Sequence, residues 1–221
     1  MPEAPNTSAL EELRSDPSSR KRFLRALGGG AAVVSLAGAL AACGGKKPAG
    51  NQIGGAGVAS AQFGQGDAGI VNYALYLEYL EADFYRLAVA SGNLRGRALG
   101  LAKRFGVEEQ DHVVTLEGTV KALGGTPAAR PKPAFTLSSP SLILTTMNQL
   151  ESIGAAAYLG QLDRIKSKQV LAAALSIHSV EARHSAVIST MLGQPISPDG
   201  AFARPLTSVD VTAQIRPFVA G

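Results

Sequence analysis

A single cysteine, Cys43, stands in a chain of 221 residues. That scarcity excludes a disulfide framework and any zinc or iron–sulfur site held by thiolates, so a metal would have to be held by His, Asp and Glu. Charge is thin as well, at 17% of residues. The formal net charge is +4, and setting aside five basic residues (Arg14, Arg20, Lys21, Arg22, Arg25) and four acidic ones (Glu3, Glu11, Glu12, Asp16) at the front leaves +3 for residues 43–221. So small an excess gives no footing for binding nucleic acid. Convincing period-two alternation, the mark of a half-buried strand, is missing. The longest apolar stretch, GGGAAVVSLAGALAA, has about 15 small residues and falls short of a bilayer span. What the chain does have is apolar content, 46% of its residues, enough for one domain with a real core and some sequence in front of it.

That front end reads as an address followed by an anchor. Residues 1–42 have the build of a signal peptide, polar up to SSRKRFLRAL and then small and apolar. Ser19, Arg20, Lys21, Arg22, Phe23, Leu24 and Arg25 resemble the twin-arginine export motif, with Lys21 standing where the second arginine belongs, so Sec export stays open. The apolar stretch ends in Leu40, Ala41, Ala42 and Cys43, which resembles a bacterial lipobox, where the cysteine is acylated and the chain is cut just before it. Residues 43–66 are rich in Gly and poor in large apolar groups, which predicts a flexible tether behind the lipidated Cys43. The expected location is the bacterial cell envelope, on the extracytoplasmic side of a membrane, with the lipid as the membrane contact.

From Asp67 to Leu192 the apolar residues recur at helical spacing in four long segments, which predicts an all-α four-helix bundle over residues 67–193. Asp67 is the expected cap of the first helix, which ends near Ser91, Gly92 and Asn93. The second runs from about Arg97 to Leu123, the third from Pro140 to about Ile165, and the fourth from Ser167 to Leu192. Residues 194–221 are expected to form a tail with one short helix packed on the bundle. Short turns make helices one and two, and three and four, antiparallel hairpins. The connection between helices two and three has 15 residues, Gly125 to Ser139, and can stretch to roughly 50 Å, longer than a 25-residue helix of about 38 Å. It can therefore cross the whole bundle, as one long connection does in ferritin-like topology.

The two hairpins repeat each other. Glu78 and Tyr85 share their spacing with Glu151 and Tyr158, and Glu109-x-x-His112 matches Glu181-x-x-His184. In an antiparallel hairpin, residues equidistant from the turn lie at one depth. The midpoint of Glu78 and Glu109 falls between Asn93 and Leu94, and that of Glu151 and Glu181 falls at Lys166, each inside a turn. All four carboxylates can therefore meet in one layer, and all four occupy core positions of otherwise apolar stripes. Four buried carboxylates without partners would cost far more than a domain can spare, whereas two divalent cations balance four negative charges and two neutral imidazoles complete the set. The expected metal residues are therefore Glu78, Glu109, His112, Glu151, Glu181 and His184, holding two divalent ions; oxygen-rich ligands with one imidazole each suit iron or manganese better than copper, and iron is expected ahead of manganese. Glu81, one turn from Glu78, is a candidate extra ligand, but its counterpart in the repeat is Gly154, which favours a solvated or outer supporting role. His178, one turn before Glu181, is a candidate to steady a ligand or line an access path. Tyr85 and Tyr158 read as core aromatics, and Glu108, Asp111 and Glu117 as solvent-facing charges.

NYALYLEYLEADFYR (Asn72 to Arg86), the two Glu-x-x-His motifs, LESIGAAAYLGQL (Leu150 to Leu162) and the tail phrase PLTSVDV...IRPF (Pro205 to Phe218) resemble the bacterial ferritin-like domain family that includes desiccation-related proteins. The resemblance covers about Asp67 to Phe218 and implies a ferritin-like bundle, often exported, with a di-metal centre and a loosely defined activity. The metal constellation also resembles those of rubrerythrins, ferroxidases and manganese catalases. The leading expectation is redox handling of oxygen, peroxide or ferrous iron, so that the partners are a small oxidant or a metal ion, with a homodimer left open. The competing reading is a structural or stress-protective lipoprotein with a weak or absent metal site. An acylated N-terminus and a long tether do not suit a storage cage.

The anchor is open to a direct check. Cys43→Ser should release the protein from membranes or block its processing, as fractionation and a shift in mass would show, and unchanged membrane association with no change in size would count against it.

Overall fold

The computed structural model describes residues 63–220, so the expected signal peptide, Cys43 and most of the tether lie outside the described residues. Four long helices account for most of the remainder: α1 (Gly66–Ala90), α2 (Gly96–Ala122), α3 (Pro140–Leu159) and α4 (Lys168–Met191), followed by a short α5 (Ser208–Ile215). No strand occurs among the described residues, only one isolated bridge between Pro133 and Val219. The helices start and stop on local chemistry. Ser139 and Ser167 cap α3 and α4 by accepting the backbone N–H of Leu142 and Val170, and Pro140 opens α3 where no N–H is needed. Gly92, with φ of 69°, reverses the chain after α1, where a side chain would be strained.

Two of the sequence-predicted boundaries change. Asp67 does not cap α1, which begins one residue earlier behind Gln65; its carboxylate instead accepts the backbone N–H groups of Lys166 and Ser167 at 2.9 and 2.7 Å, pinning the α3–α4 turn to the start of α1. The third helix stops at Leu159 rather than near Ile165, with a separate 3₁₀ turn at Leu162–Arg164. The tail crosses at this point, with the Leu206 N–H donating to the Ala156 carbonyl at 3.0 Å, and it passes Gly160 so closely that a Cβ there would lie 2.0 Å from the Leu206 carbonyl oxygen.

The long connection follows α1 from end to end. Asn72, near the start of α1, donates to the Thr126 carbonyl at 2.9 Å and accepts the Ala128 N–H at 2.6 Å. Further along, Arg130 lies over the Tyr79 ring at 4.3 Å and pairs with Asp83. Phe135 then packs edge-on against Phe84, and Asn93, past the end of α1, donates to the Leu137 carbonyl. The C-terminus clips this segment from outside, with Ala134 N–H donating to Phe218 O and Ala220 N–H to Lys132 O, both at 2.8 Å. In α5, Val211 and Ile215 are the apolar residues turned into the core.

Two apolar clusters fill the bundle and flank a central layer. One contains Tyr85, Phe105, Met147 and Ile188, and the other Leu75, Leu116, Val120 and Val170. The layer between them is polar.

Asn72 is the test of the long connection. It is buried and holds two separate backbone groups of the segment, so Asn72→Ala should destabilise the protein by about 1–3 kcal/mol in denaturant unfolding, the cost of leaving such groups unserved.

Candidate metal centre

Glu78 on α1, Glu109 on α2, Glu151 on α3 and Glu181 on α4 are all 0% exposed. The hairpin geometry explains why they meet: each pair is equidistant from its own turn, and each sits on the apolar stripe that turns its helix inward. His112 and His184 follow one turn after Glu109 and Glu181 on the same faces. The outcome is two groups of ligand atoms, each mutually within 4.8 Å: Glu78, Glu109, His112 and Glu181, and Glu109, Glu151, Glu181 and His184. Glu109 and Glu181 belong to both groups.

The ring nitrogens point into this layer. His112 Nδ1 lies 3.2 Å from Glu78 Oε2, 3.0 Å from Glu109 Oε2 and 3.2 Å from Glu181 Oε1. His184 Nδ1 lies 3.0 Å from Glu109 Oε1 and 3.1 Å from Glu151 Oε2. One N–H can be directed at only one of these oxygens, and both oxygens of Glu181, Oε1 of Glu109 and Oε2 of Glu81 remain without a well-formed hydrogen bond. Buried acceptors in that state call for a cation, and the donor set, carboxylates with one imidazole per group, fits a hard or borderline divalent ion.

Electrostatics point the same way. Burial, reinforced by Glu151 and Glu78, pushes the Glu181 carboxyl well above its ordinary range. Burial together with Glu181 and Glu78 does the same to Glu81. Burial and Glu181 carry Glu109 up to about 7, and burial and Glu109 raise Glu151. For Glu78 burial acts upward too, but the His112 charge and its hydrogen bond outweigh it and hold the group below the usual carboxylate value. Burial would lower His184, yet its hydrogen bonds to Glu109 and Glu151 bring it up to about 11. Without a cation, the cluster is therefore a trap for protons.

Several side chains take roles that their sequence positions did not suggest. Tyr85 donates to Glu151 Oε1, and Tyr158 donates to Glu78 Oε1 at 2.6 Å, so each tyrosine holds a carboxylate of the other hairpin rather than merely filling the core. The shared seven-residue spacing from Glu78 and Glu151 was the available signal. Glu108 is not a plain solvent-facing charge: its Oε2 sits 2.7 Å from His184 Nε2. That contact fixes the imidazole with Nδ1 toward the carboxylates, the arrangement in which a carboxylate behind a histidine orients it for a metal. Phe105 stacks on the same ring, with centroids 3.8 Å apart. Glu117 likewise has a partner, accepting the Tyr79 hydroxyl at 2.6 Å. Glu81 is 3% exposed, so a solvated role is ruled out. His178 stays apart from the layer, donating from Nδ1 to the Ala155 carbonyl at 2.9 Å and so tying α4 to α3.

Residues 66–194 match the family described as ferritin-like domain. No curated protein matches the chain.

The raised groups make the metal-free protein sensitive to pH. Glu109 binds its proton more tightly folded than unfolded, so the stability it contributes is complete below its ordinary value near 4.5 and is lost as pH rises through about 7. Glu151, Glu81 and Glu181, also raised, act with the same sign. Thermal melting of the metal-free protein should therefore fall as pH climbs from about 4.5 to about 7, and excess manganous ion should reverse the fall at neutral pH. A melting temperature that is flat or rising across that window, and indifferent to the ion, would contradict this electrostatic picture.

Proposed function

The chain belongs to the ferritin-like domain family, and from that membership and its shared carboxylates we propose that it is an envelope-anchored protein holding two divalent ions, iron ahead of manganese, for redox handling of oxygen, peroxide or ferrous iron. The observation that carries the reading is the presence of Glu109 and Glu181 in both ligand groups. A carboxylate has two oxygens, so each of the two can serve an ion on either side. Glu78 with His112 and Glu151 with His184 then close the two ends. Iron or manganese bound there would supply one-electron steps toward a small oxidant.

The chain's own residues do the rest. Glu108 and Phe105 set the plane and tilt of His184. Tyr85 and Tyr158 each hold one oxygen of Glu151 and Glu78, leaving the other free to ligate, and burial next to those carboxylates keeps both phenols protonated, as donors. The apolar clusters that flank the layer keep bulk water from it, which strengthens every charge interaction inside it. A surface groove of about 770 Å³ is walled by α1, α2 and Arg130 of the long connection, and Tyr85, the phenol that holds Glu151, is among its lining residues. Envelope anchoring rests on the lipobox-like Leu40 to Cys43 and on the basic Ser19 to Arg25 segment before it.

The test is metal stoichiometry with the shared ligands altered. The full-length protein, in detergent and free of metal, should take up close to two equivalents of ferrous or manganous ion and, once loaded with iron, consume peroxide or dioxygen. Glu109→Ala and Glu181→Ala should each remove at least one equivalent, and the two losses should resemble each other. Uptake well below one equivalent by the wild type, with both variants more stable than it, would instead describe a structural lipoprotein whose carboxylates are protonated relics.

A further inference from the structure

The two ligand groups leave out a fifth acid. Glu81, one turn beyond Glu78 on α1, is 3% exposed and its Oε2 has no hydrogen-bond partner. The void beside Glu81 and Gly154 is small, about 10 Å³, and apart from Glu81 its side-chain walls are apolar (Leu77, Leu80, Leu150, Ile153 and Ile215), so a water there would lack the several polar partners it needs.

What faces Glu81 across the bundle is an absence of side chain. A Cβ on Gly154 would lie 2.7 Å from Glu81 Oε1 and 3.2 Å from Glu181 Oε2. Gly154 sits inside α3, away from any turn, where glycine weakens a helix and its backbone needs no special freedom. Clearance is the remaining reason for it: the Glu81 carboxylate occupies the space that any other residue would fill, beside a carboxylate shared by both ligand groups. The repeat sharpens the point, because positions 81 and 154 are equivalent in the two hairpins. One hairpin supplies a carboxylate and the other makes room for it.

We propose that Glu81 is a fifth carboxylate ligand of the cation pair, admitted by Gly154, so that one of the two ions is held by more oxygen than the other. This rests on the two-ion reading above. An unpartnered buried oxygen gains a cation, and the local symmetry of the centre is broken in a way that separates the affinities of its two positions.

Two variants test it, using manganous ion alone as the probe. Glu81→Gln removes the charge at nearly constant volume. Gly154→Ala displaces the end of the Glu81 side chain and asks Glu181 Oε2 to give by a few tenths of an ångström while favouring the helix, so it should fold as well as the wild type, and its loss is assigned to Glu81 only where Glu81→Gln shows the same one. Competition with a chelator, on the anaerobic full-length protein in detergent, should show two ions in the wild type. In each variant one of the two should bind at least about tenfold more weakly, the loss that removing even a partner behind a ligand causes. Wild-type affinity for both ions in either variant overturns the proposal while leaving the two-ion reading intact. A wild-type protein that takes up no manganese overturns both.

Discussion

Five carboxylates shut between apolar helix faces carry more negative charge than two imidazolium groups can offset, and the rest of the bundle is arranged around that imbalance. Each acid is placed by a hairpin whose turn fixes its depth, and each helix brings its acid inward on a stripe of apolar neighbours. The apolar clusters around the layer then make the charges costlier by keeping water out. Protons can relieve the strain in part, which is why Glu109, Glu151, Glu181 and Glu81 are all displaced upward. Cations relieve it more fully, because they satisfy the bare oxygens as well as the charge.

The same constraint explains the contacts between hairpins. Tyr85 and Tyr158 reach across to Glu151 and Glu78 in a crosswise pair, so a ligand on one hairpin is positioned by a phenol on the other. The long connection is laid along α1 and fastened by Asn72, Arg130 and Asn93, while the tail crosses the end of α3 at Gly160. The centre is nonetheless not symmetric. Glu108 backs His184, whereas the equivalent of Glu108 in the other hairpin is Val180, and Glu81 has Gly154 as its counterpart.

Much of this was legible in the sequence because it depends on periodicity and arithmetic. Equal distances from two turns predicted that Glu78, Glu109, Glu151 and Glu181 would share a layer, and the Glu-x-x-His spacing placed each histidine on the same face as its acid. The length of residues 125–139 was enough to predict a connection that could cross the bundle. What escaped were contacts set by how one helix is rotated against another. Glu108 lies one residue off the core stripe and reads as exposed, yet α2 turns enough toward His184 for the two to touch. Asp67 has the residue type of a cap, and nothing local says that the N–H groups it accepts belong to a turn about a hundred residues away. Glu81 read as a solvated or supporting acid rather than an extra ligand because its counterpart is a glycine, when that glycine is what gives it space.

The central claim, that Glu109 and Glu181 are shared between two cations, is tested most directly by anomalous X-ray diffraction from crystals of the protein grown with manganous ion. The account predicts two peaks about 3.5–4 Å apart, the separation typical of carboxylate-bridged pairs, with Glu109 and Glu181 each contacting both. A single peak, or two peaks that share neither glutamate, would contradict it.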